Sequence, residues 1–571
     1  MPTISIFKSD LESLLGAPGE PRTVSIDELQ ERLTLVKGEV KGYQADTGEL
    51  RVELQDSNRP DLWCCEGIAR QIRVKLGGTA KPYPFLSKQP GRLPQLLVAP
   101  GLDRVRPYVA ACAATGYRVT EQGLAQLIQT QEKLADIFGH KRKTVSIGIY
   151  RLQKIRFPVT YELASPDDVR FTPLGMDTAM TLSEILMVHP KGLEYGSILA
   201  GQSRLPLLRD ADHRPLSFPP IINSREIGEV LVGDDELFVE VTGTDAAMVV
   251  LTLNIFAVNL ADRGAAIQPI AVRYPYETPF GKRVVTPRDI GRPRGIQIET
   301  IERALGQELG ATVVKEALEA YGYHVSTGKK SVTVKLPPYR QDLMHAMDVV
   351  EDVAMSLGYG AFSPEMPSQF TVGGLSRIEQ LSDRARELMV GLGFQEIISN
   401  ILGSPDHYRD AMRLEGTEWG KMVEVRNVMS SSFSCLRQWM IPSLLRVEAA
   451  SARSFYPHRL FEAGEVAIFD SAHDVGSRTE TVLGAMIAHA AAHFSEIHSC
   501  LDACLYYLGK TYGLEPIPHP SFLDGRVGTI VVSGTAIGLI GEIHPEVLER
   551  WQIAMPVVAF EVNLSRLEHL V

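Results

Sequence analysis

Cysteine is scarce, with six in 571 residues. That excludes a disulfide framework and points to a reducing compartment. Cys64 and Cys65 are adjacent and cannot easily bridge. Cys500 and Cys504 stand at helical i, i+4 spacing near His498, but a metal site would need at least one further ligand. Buried free thiols are the expectation there. Long hydrophobic runs are also lacking. The most apolar stretch, "AAMVVLTLNIFAVNLA", is interrupted by Thr252, Asn254 and Asn259. It is too short and too polar to span a bilayer, and it reads as a buried helix. The start, "MPTISIFKSDLESLLG", has no basic segment followed by an apolar core, so a signal peptide is not expected. The expected location is the cytoplasm. A positive balance is missing too: the net charge is −11. This argues against a free-standing nucleic-acid binder, but it leaves open RNA handled within a larger, more basic assembly.

One absence is local. From Gln341 to Ser376 there is no lysine or arginine, yet the stretch holds Asp342, Asp348, Glu351 and Asp352. His345 is the one nearby candidate for positive charge. The spacing predicts a helix over 342–357, with Leu343, Met347, Val350, Ala354 and Leu357 as its apolar stripe and Gly358 as a left-handed stop. Asp342 sits where an N-cap belongs. Asp348, Glu351 and Asp352 share a face at i, i+3 and i+4. Glu351 and Asp352 lie in the C-terminal half, where the helix dipole disfavours negative charge. A solvated acidic face is one explanation. A bound cation or a basic partner is the other, and oxygen ligands select Mg²⁺ or Ca²⁺ over zinc.

What is present reads as several domains of mixed α/β character. Pro/Gly-rich breaks fall at 77–94, 285–295 and 360–374. They give a small N-terminal α/β domain (1–90), a larger α/β domain (91–280), a winged-helix-like domain carrying the acidic helix (285–360) and a C-terminal module (365–571). In the first, Ser25 stands three residues before Glu28, the capping-box spacing. In the second, an amphipathic helix over 121–138 leads into "GHKRK" and a strand, and Thr244 or Asp245 is placed to cap the apolar helix. The last alternates helices with short strands, which suggests an antiparallel sheet with helices on one face.

"DSNRPDLWCCEGIARQIRVKLG", "PPYRQDLMHAMDVVEDVAMSLGYG", "PHRLFEAGEV" and "HFSEIHSCLDACLYYLG" occur in that order. Together they make the chain resemble the β subunit of phenylalanine–tRNA ligase, archaeal/eukaryotic type, over essentially its whole length. The resemblance implies a multidomain α+β protein whose C-terminal module is similar to a class II synthetase core. That module is expected to be catalytically silent, because no Gly-rich, arginine-bearing helix follows "RLFEAGEV". It implies an aminoacyl-tRNA ligase acting as an α2β2 assembly. The α subunit would bind ATP and phenylalanine and charge tRNA(Phe). It implies Mg²⁺ at Asp342, Asp348, Glu351 and Asp352, near the α subunit, with the missing positive charge supplied from outside this chain. It also implies an editing domain that hydrolyses tyrosine wrongly attached to tRNA(Phe). The matching pocket positions are Leu208, Ser217, Glu240 and Thr242. Glu240 departs from the more usual aspartate and is one methylene longer. "GHKRK" adjoins this domain and could steer the tRNA acceptor end through phosphate contacts. Two other functions compete: a structural subunit with a dead editing site, and a free-standing hydrolase using the acidic helix with a metal.

Overall fold

The computed structural model describes residues 2–16, 21–55, 58–77, 81–87, 91 and 93–570. The 77–94 break therefore lies partly outside the described residues, as do Asp56 and Ser57 of the first signature. The chain divides into two compact units, Met1–Glu365 and Met366–Val571. Several separate sheets with helices make it a multidomain α+β protein.

The first unit is organised around the apolar helix Ala246–Asp262. Its residues from Val249 to Ala261 are all buried, and Asp245 caps it by accepting the Met248 amide. An apolar circumference demands partners on every side. One side takes the strands Tyr108–Thr115 and Glu236–Gly243; another takes the helix Cys65–Lys75. The three polar residues are satisfied in part: Asn254 bonds the Arg288 and Pro338 carbonyls, and Asn259 accepts from Arg70. A small antiparallel sheet, in the order Thr3–Phe7, Glu49–Leu54, Gly38–Gln44, joins the same hydrophobic core. Buried arginines tie these parts together. Arg70 pairs with Asp262 at 2.7 Å, and Arg263 pairs with Asp10 at 2.8 Å and Glu66 at 2.5 Å.

The strands Tyr108–Thr115 and Glu236–Gly243 belong to a mixed ten-stranded sheet. Its path starts at Ile222–Asn223, passes Pro215–Phe218 and Leu205–Arg209, and ends with Glu236–Gly243 and Val145–Arg151. The two ends of that path come together, with Tyr150 Oη 3.4 Å from Asn223 Oδ1. A separate three-stranded sheet (Arg294–Gln297, Ser331–Lys335, His324–Thr327) packs with the helices Ile298–Leu305, Gly310–Glu319 and Ala346–Leu357 around Ile301, Val314, Leu318, Val334 and Val353.

The second unit holds a seven-stranded sheet in the order Gln395–Glu396, His458–Phe469, Ser477–Ala488, Val557–Asn563, Thr535–Ile543, Phe522–Val532, Gly513–Pro516. Only the first pairing is parallel. Helices cover both faces rather than the one face the sequence suggests. Leu483, Ala485 and Ile487 point into a core with the helices Arg377–Gly391 and Phe494–Tyr507, whereas Val482, Met486 and Ala488 point into another with Ile441–Ala450. Successive side chains alternate across a strand, so a strand buried on both faces loses the apolar/polar alternation that would have disclosed its second layer.

Ser25 accepts the Glu28 amide as the capping spacing predicts. All six cysteines are free and buried. No described helix is long and apolar enough to cross a membrane. Gly67 marks the closest backbone approach in the first signature: a Cβ there would lie 1.7 Å from the Asp61 carbonyl oxygen. Gly67→Ala is expected to destabilise the unit by at least about 3 kcal/mol, read as a lower midpoint in urea unfolding.

Candidate functional site

Strand register assembles the first cluster. Leu208 stands opposite Ser217. On the neighbouring part of the sheet, Glu240 stands opposite Gly148 and Thr242 opposite Ser146. Leu208, Ser217, Glu240 and Thr242 are all at most 2% exposed. The sequence placed these four in one domain, and the structure adds their partners. Tyr150 donates its hydroxyl hydrogen to Glu240 Oε1 at 2.8 Å. Gly148 and Tyr150 share a face of their strand, so the phenol folds back over the glycine. A Cβ at Gly148 would lie 2.0 Å from Tyr150 Oη and 2.6 Å from Glu240 Oε1. Glycine is what lets the two meet.

Arg106 supports Thr242 from behind. It donates to Thr242 Oγ1 at 3.1 Å, to the Thr242 carbonyl at 2.8 Å and to Ser146 Oγ at 3.0 Å. Its remaining arm reaches the Lys143 carbonyl at 3.2 Å, joining the cluster to the "GHKRK" turn. In that turn His140, Lys141 and Arg142 have φ of 50°, 54° and 64°. Three successive non-glycine residues in the left-handed region are strained. Sequence reasoning missed Tyr150, Gly148, Ser146 and Arg106. The available signal was the run Ser146, Gly148, Tyr150: a hydroxyl, a gap and a phenol on one face of an otherwise apolar strand.

Burial pushes the Glu240 carboxyl up; the Tyr150 hydrogen bond and the Arg106 charge hold it back only partly, leaving it at about 7. Glu240 Oε2 and Ser217 Oγ are buried without a hydrogen-bond partner, an arrangement that native proteins seldom leave unexplained. The cluster thus offers a carboxyl group that accepts a phenol, with two polar atoms to spare. No histidine or lysine is hydrogen-bonded to Ser217 or Thr242, so nothing there activates a nucleophile. Recognition, with water positioned by polar groups, is the chemistry it can perform.

The acidic helix differs from the sequence reading. It spans Ala346–Leu357, and its cap is His345, not Asp342. Asp348 completes that cap by accepting the Met344 and His345 amides at 2.7 and 2.6 Å. The buried face is Val349, Val350, Val353, Ala354 and Met355, whereas Met347 is exposed. Gly358 has φ 85° with an extended ψ of 132°, so it stops the helix without the left-handed turn. The counter-charge lies within the chain. Arg340 is 3% exposed and binds Asp342 at 2.6 Å and Asp352 at 2.7 Å; Tyr323 also donates to Asp352 at 2.7 Å. Glu351 pairs with Lys37 at 2.8 Å. The four carboxylates are therefore divided among an arginine, a lysine and a helix cap. Among the described residues no group of three or more His, Cys, Asp or Glu could hold a metal ion. The quartet does not fit as a common magnesium site in this chain. Sequence reasoning missed Arg340 because it is the residue just before the gap in positive charge, and Lys37 because it is distant along the chain.

Burial pushes the Asp342 carboxyl up, and the Arg340 charge and hydrogen bonds more than reverse this, lowering it to about 2. That stability is present above the ordinary carboxylate range and is lost as pH falls through about 2. Arg340→Met is expected to cost about 3–5 kcal/mol by stranding two buried carboxylates, against less than about 1 kcal/mol for Lys37→Ala at a more exposed pair. Urea unfolding near neutral pH measures both. Glu240 has the opposite sign. Its proton stabilises the native state fully below about 4.5, and that contribution is lost as pH rises to about 7. Glu240→Gln should flatten this part of the stability–pH curve relative to the natural chain.

Comparison with known proteins gives consistent results. Residues 295–359 match the family described as the tRNA synthetase B5 domain, and residues 363–564 match the phenylalanyl tRNA synthetase beta chain CLM domain. The chain is 37% identical over 584 aligned positions to the phenylalanine–tRNA ligase β subunit of Thermococcus kodakarensis, covering 99% of both chains. It is 36% identical to that of Borrelia turicatae, covering 99% of this chain and all of the relative. A crystal structure of an N-terminal fragment of the phenylalanyl-tRNA synthetase β subunit from Pyrococcus horikoshii superposes with a TM-score of 0.58 at 36% identity. The match covers 63% of this chain and all of the fragment.

Proposed function

This chain belongs to the family of phenylalanine–tRNA ligase β subunits and so forms part of an aminoacyl-tRNA ligase, and from that premise we propose that it removes tyrosine wrongly attached to tRNA(Phe) at the Glu240 cluster while an α subunit makes Phe-tRNA. The observation that carries the editing reading is the bond between Tyr150 Oη and Glu240 Oε1. Tyrosine differs from phenylalanine by one phenolic hydroxyl. The chain already holds a phenolic hydroxyl on a buried carboxyl, between strands that carry Ser217 and Thr242. A site that hydrogen-bonds a hydroxyl rejects the analogue lacking it by large factors, because the unmatched polar group stays buried. Glu240, one methylene longer than aspartate, reaches across Gly148 to do this.

In this reading the ester is hydrolysed by a water held among Ser217, Thr242 and the substrate. Leu208 forms an apolar wall, and Arg106 fixes Thr242. The basic turn His140–Lys143 stands one strand end away and receives the phosphates of the tRNA acceptor end. The C-terminal module packs within an α2β2 assembly and does no synthesis. Magnesium accompanies ATP on the α subunit, since the carboxylates Asp342, Asp348, Glu351 and Asp352 are each engaged within this chain. The same division of carboxylates disfavours a metal-dependent hydrolase built on the acidic helix.

Tyr150 has a further consequence in this scheme. The substrate phenol and the Tyr150 phenol compete for Glu240. An incoming tyrosine exchanges one hydrogen bond for another, whereas phenylalanine only breaks one. Removing the Tyr150 hydroxyl therefore eases entry for both substrates by the same amount and leaves their ratio unchanged.

The test is hydrolysis of Tyr-tRNA(Phe) by the purified α–β assembly. The chain alone should make no Phe-tRNA and the assembly should. Glu240→Ala or Thr242→Ala should slow Tyr-tRNA(Phe) hydrolysis at least about tenfold, with Phe-tRNA synthesis unchanged. Tyr150→Phe should lower KM about tenfold for Tyr-tRNA(Phe) and Phe-tRNA(Phe) alike. Stable Tyr-tRNA(Phe) in the presence of the natural assembly, or unchanged hydrolysis in Glu240→Ala, would overturn the editing role.

A further inference from the structure

The second unit contains a cavity of about 670 Å³ on one face of its seven-stranded sheet, within the range that small ligands occupy. It is independent of the editing cluster, and no role assigned so far uses it. Its floor is formed by successive strands and includes Glu561 and Gly538. Its walls are aromatic: His519 lies between Trp419, at 4.7 Å between ring centroids, and Trp439, at 5.7 Å. A Cβ at Gly538 would lie 1.8 Å from the Glu561 carbonyl oxygen, so the floor strands are held close at the point where Glu561 enters.

Three groups in this cavity are chemically unfinished. Glu561 accepts the Met440 amide at 2.5 Å, and among the described residues no ion pair reaches its carboxyl. The Trp439 indole is 8% exposed and its Nε1–H has no acceptor. His519, 3% exposed, accepts the Ser521 amide on Nδ1 at 3.2 Å, which makes Nε2 the protonated nitrogen and leaves it a donor. Other charges around the cavity are already matched. Glu480 takes Arg478 and Arg566, Glu418 takes Lys421, and Asp470 takes Arg478. Glu561 is the carboxyl left over.

The geometry points to a ligand site for a small aromatic amine: a flat ring held between Trp419 and Trp439, with its ammonium group on Glu561. Each part of that ligand answers a feature of the cavity. The aromatic walls bury a ring and also attract a cation through their π faces. The unpaired carboxyl needs a positive partner, because a lone buried charge is costly. Without such a partner burial pushes the Glu561 carboxyl up to about 7, against the smaller opposing effects of the Met440 amide and the Arg437 charge. An ammonium group restores its ionised form. The free N–H groups of Trp439 and His519 would receive an oxygen atom, which an amine bearing a carboxyl or carbonyl supplies and a bare amine does not.

The probes are 2-phenylethylamine, L-phenylalanine and, as a neutral control of the same size, 2-phenylethanol. They are titrated into the full chain without α subunit, and binding is followed by tryptophan fluorescence and by calorimetry. The expected result is saturable binding of 2-phenylethylamine, weakened at least about tenfold in Glu561→Gln. Glutamine keeps an acceptor for the Met440 amide, so an unchanged melting temperature confirms that the fold is intact. Trp439→Phe, which keeps a ring, should weaken binding as well. L-Phenylalanine binding more tightly than the amine would identify an amino acid as the natural occupant. The inference is overturned if no amine binds saturably, if Glu561→Gln binds as well as the natural chain, or if 2-phenylethanol binds equally well.

Discussion

The constraint on which the first unit turns is a missing atom. At Gly148 there is no Cβ, and the space it would fill is taken by the Tyr150 hydroxyl and the Glu240 carboxyl. That contact does two things at once. It brings the first and last strands of a ten-stranded path together through Tyr150 and Asn223. It also buries a carboxyl whose only side-chain hydrogen-bond partner is a phenol. Closure of the sheet and chemistry of the site are therefore one problem with one solution. A larger residue at 148 would separate the strands and empty the site in the same step.

Electrostatics follows a different rule in the rest of that unit. Charges there are buried in bonded sets: Arg70 with Asp262, Arg263 with Asp10 and Glu66, and Arg340 with Asp342 and Asp352. Such sets contribute little net stability over an apolar core, but removing one member strands the others. They favour one arrangement of neighbouring elements over alternatives. Glu240 and Glu561 break this pattern in their respective units, each buried without an arginine or lysine of its own. In both places the exception coincides with polar atoms lacking partners.

Some of this was legible in the sequence. The apolar run 246–261 announced a buried helix, the Ser25 cap was readable from spacing, and the signatures identified the family. Residues whose roles come from the strand opposite were not readable. Gly148 has meaning only because Glu240 faces it, and Arg106 only because Thr242 does. The acidic helix shows the limit most clearly. A count of local charge stopped one residue short of Arg340, and no window along the chain joins Lys37 to Glu351. In the second unit the strands are buried on both faces, so the period-two pattern that signals a half-buried sheet was absent and the second helical layer went unseen.

The pairing of Arg263 with Asp10 and Glu66 also sets a timetable for synthesis. Asp10 and Arg263 are 253 residues apart. At roughly 5–20 residues per second, the N-terminal segment leaves the ribosome about 10–50 s before its partner helix exists. During that interval the helix Cys65–Lys75 has no Ala246–Asp262 surface to cover it, and Arg70 has no Asp262. The first part of the chain to be made is thus among the last to be completed, and it spends the interval with its apolar face and its acidic groups open to whatever binds nascent chains.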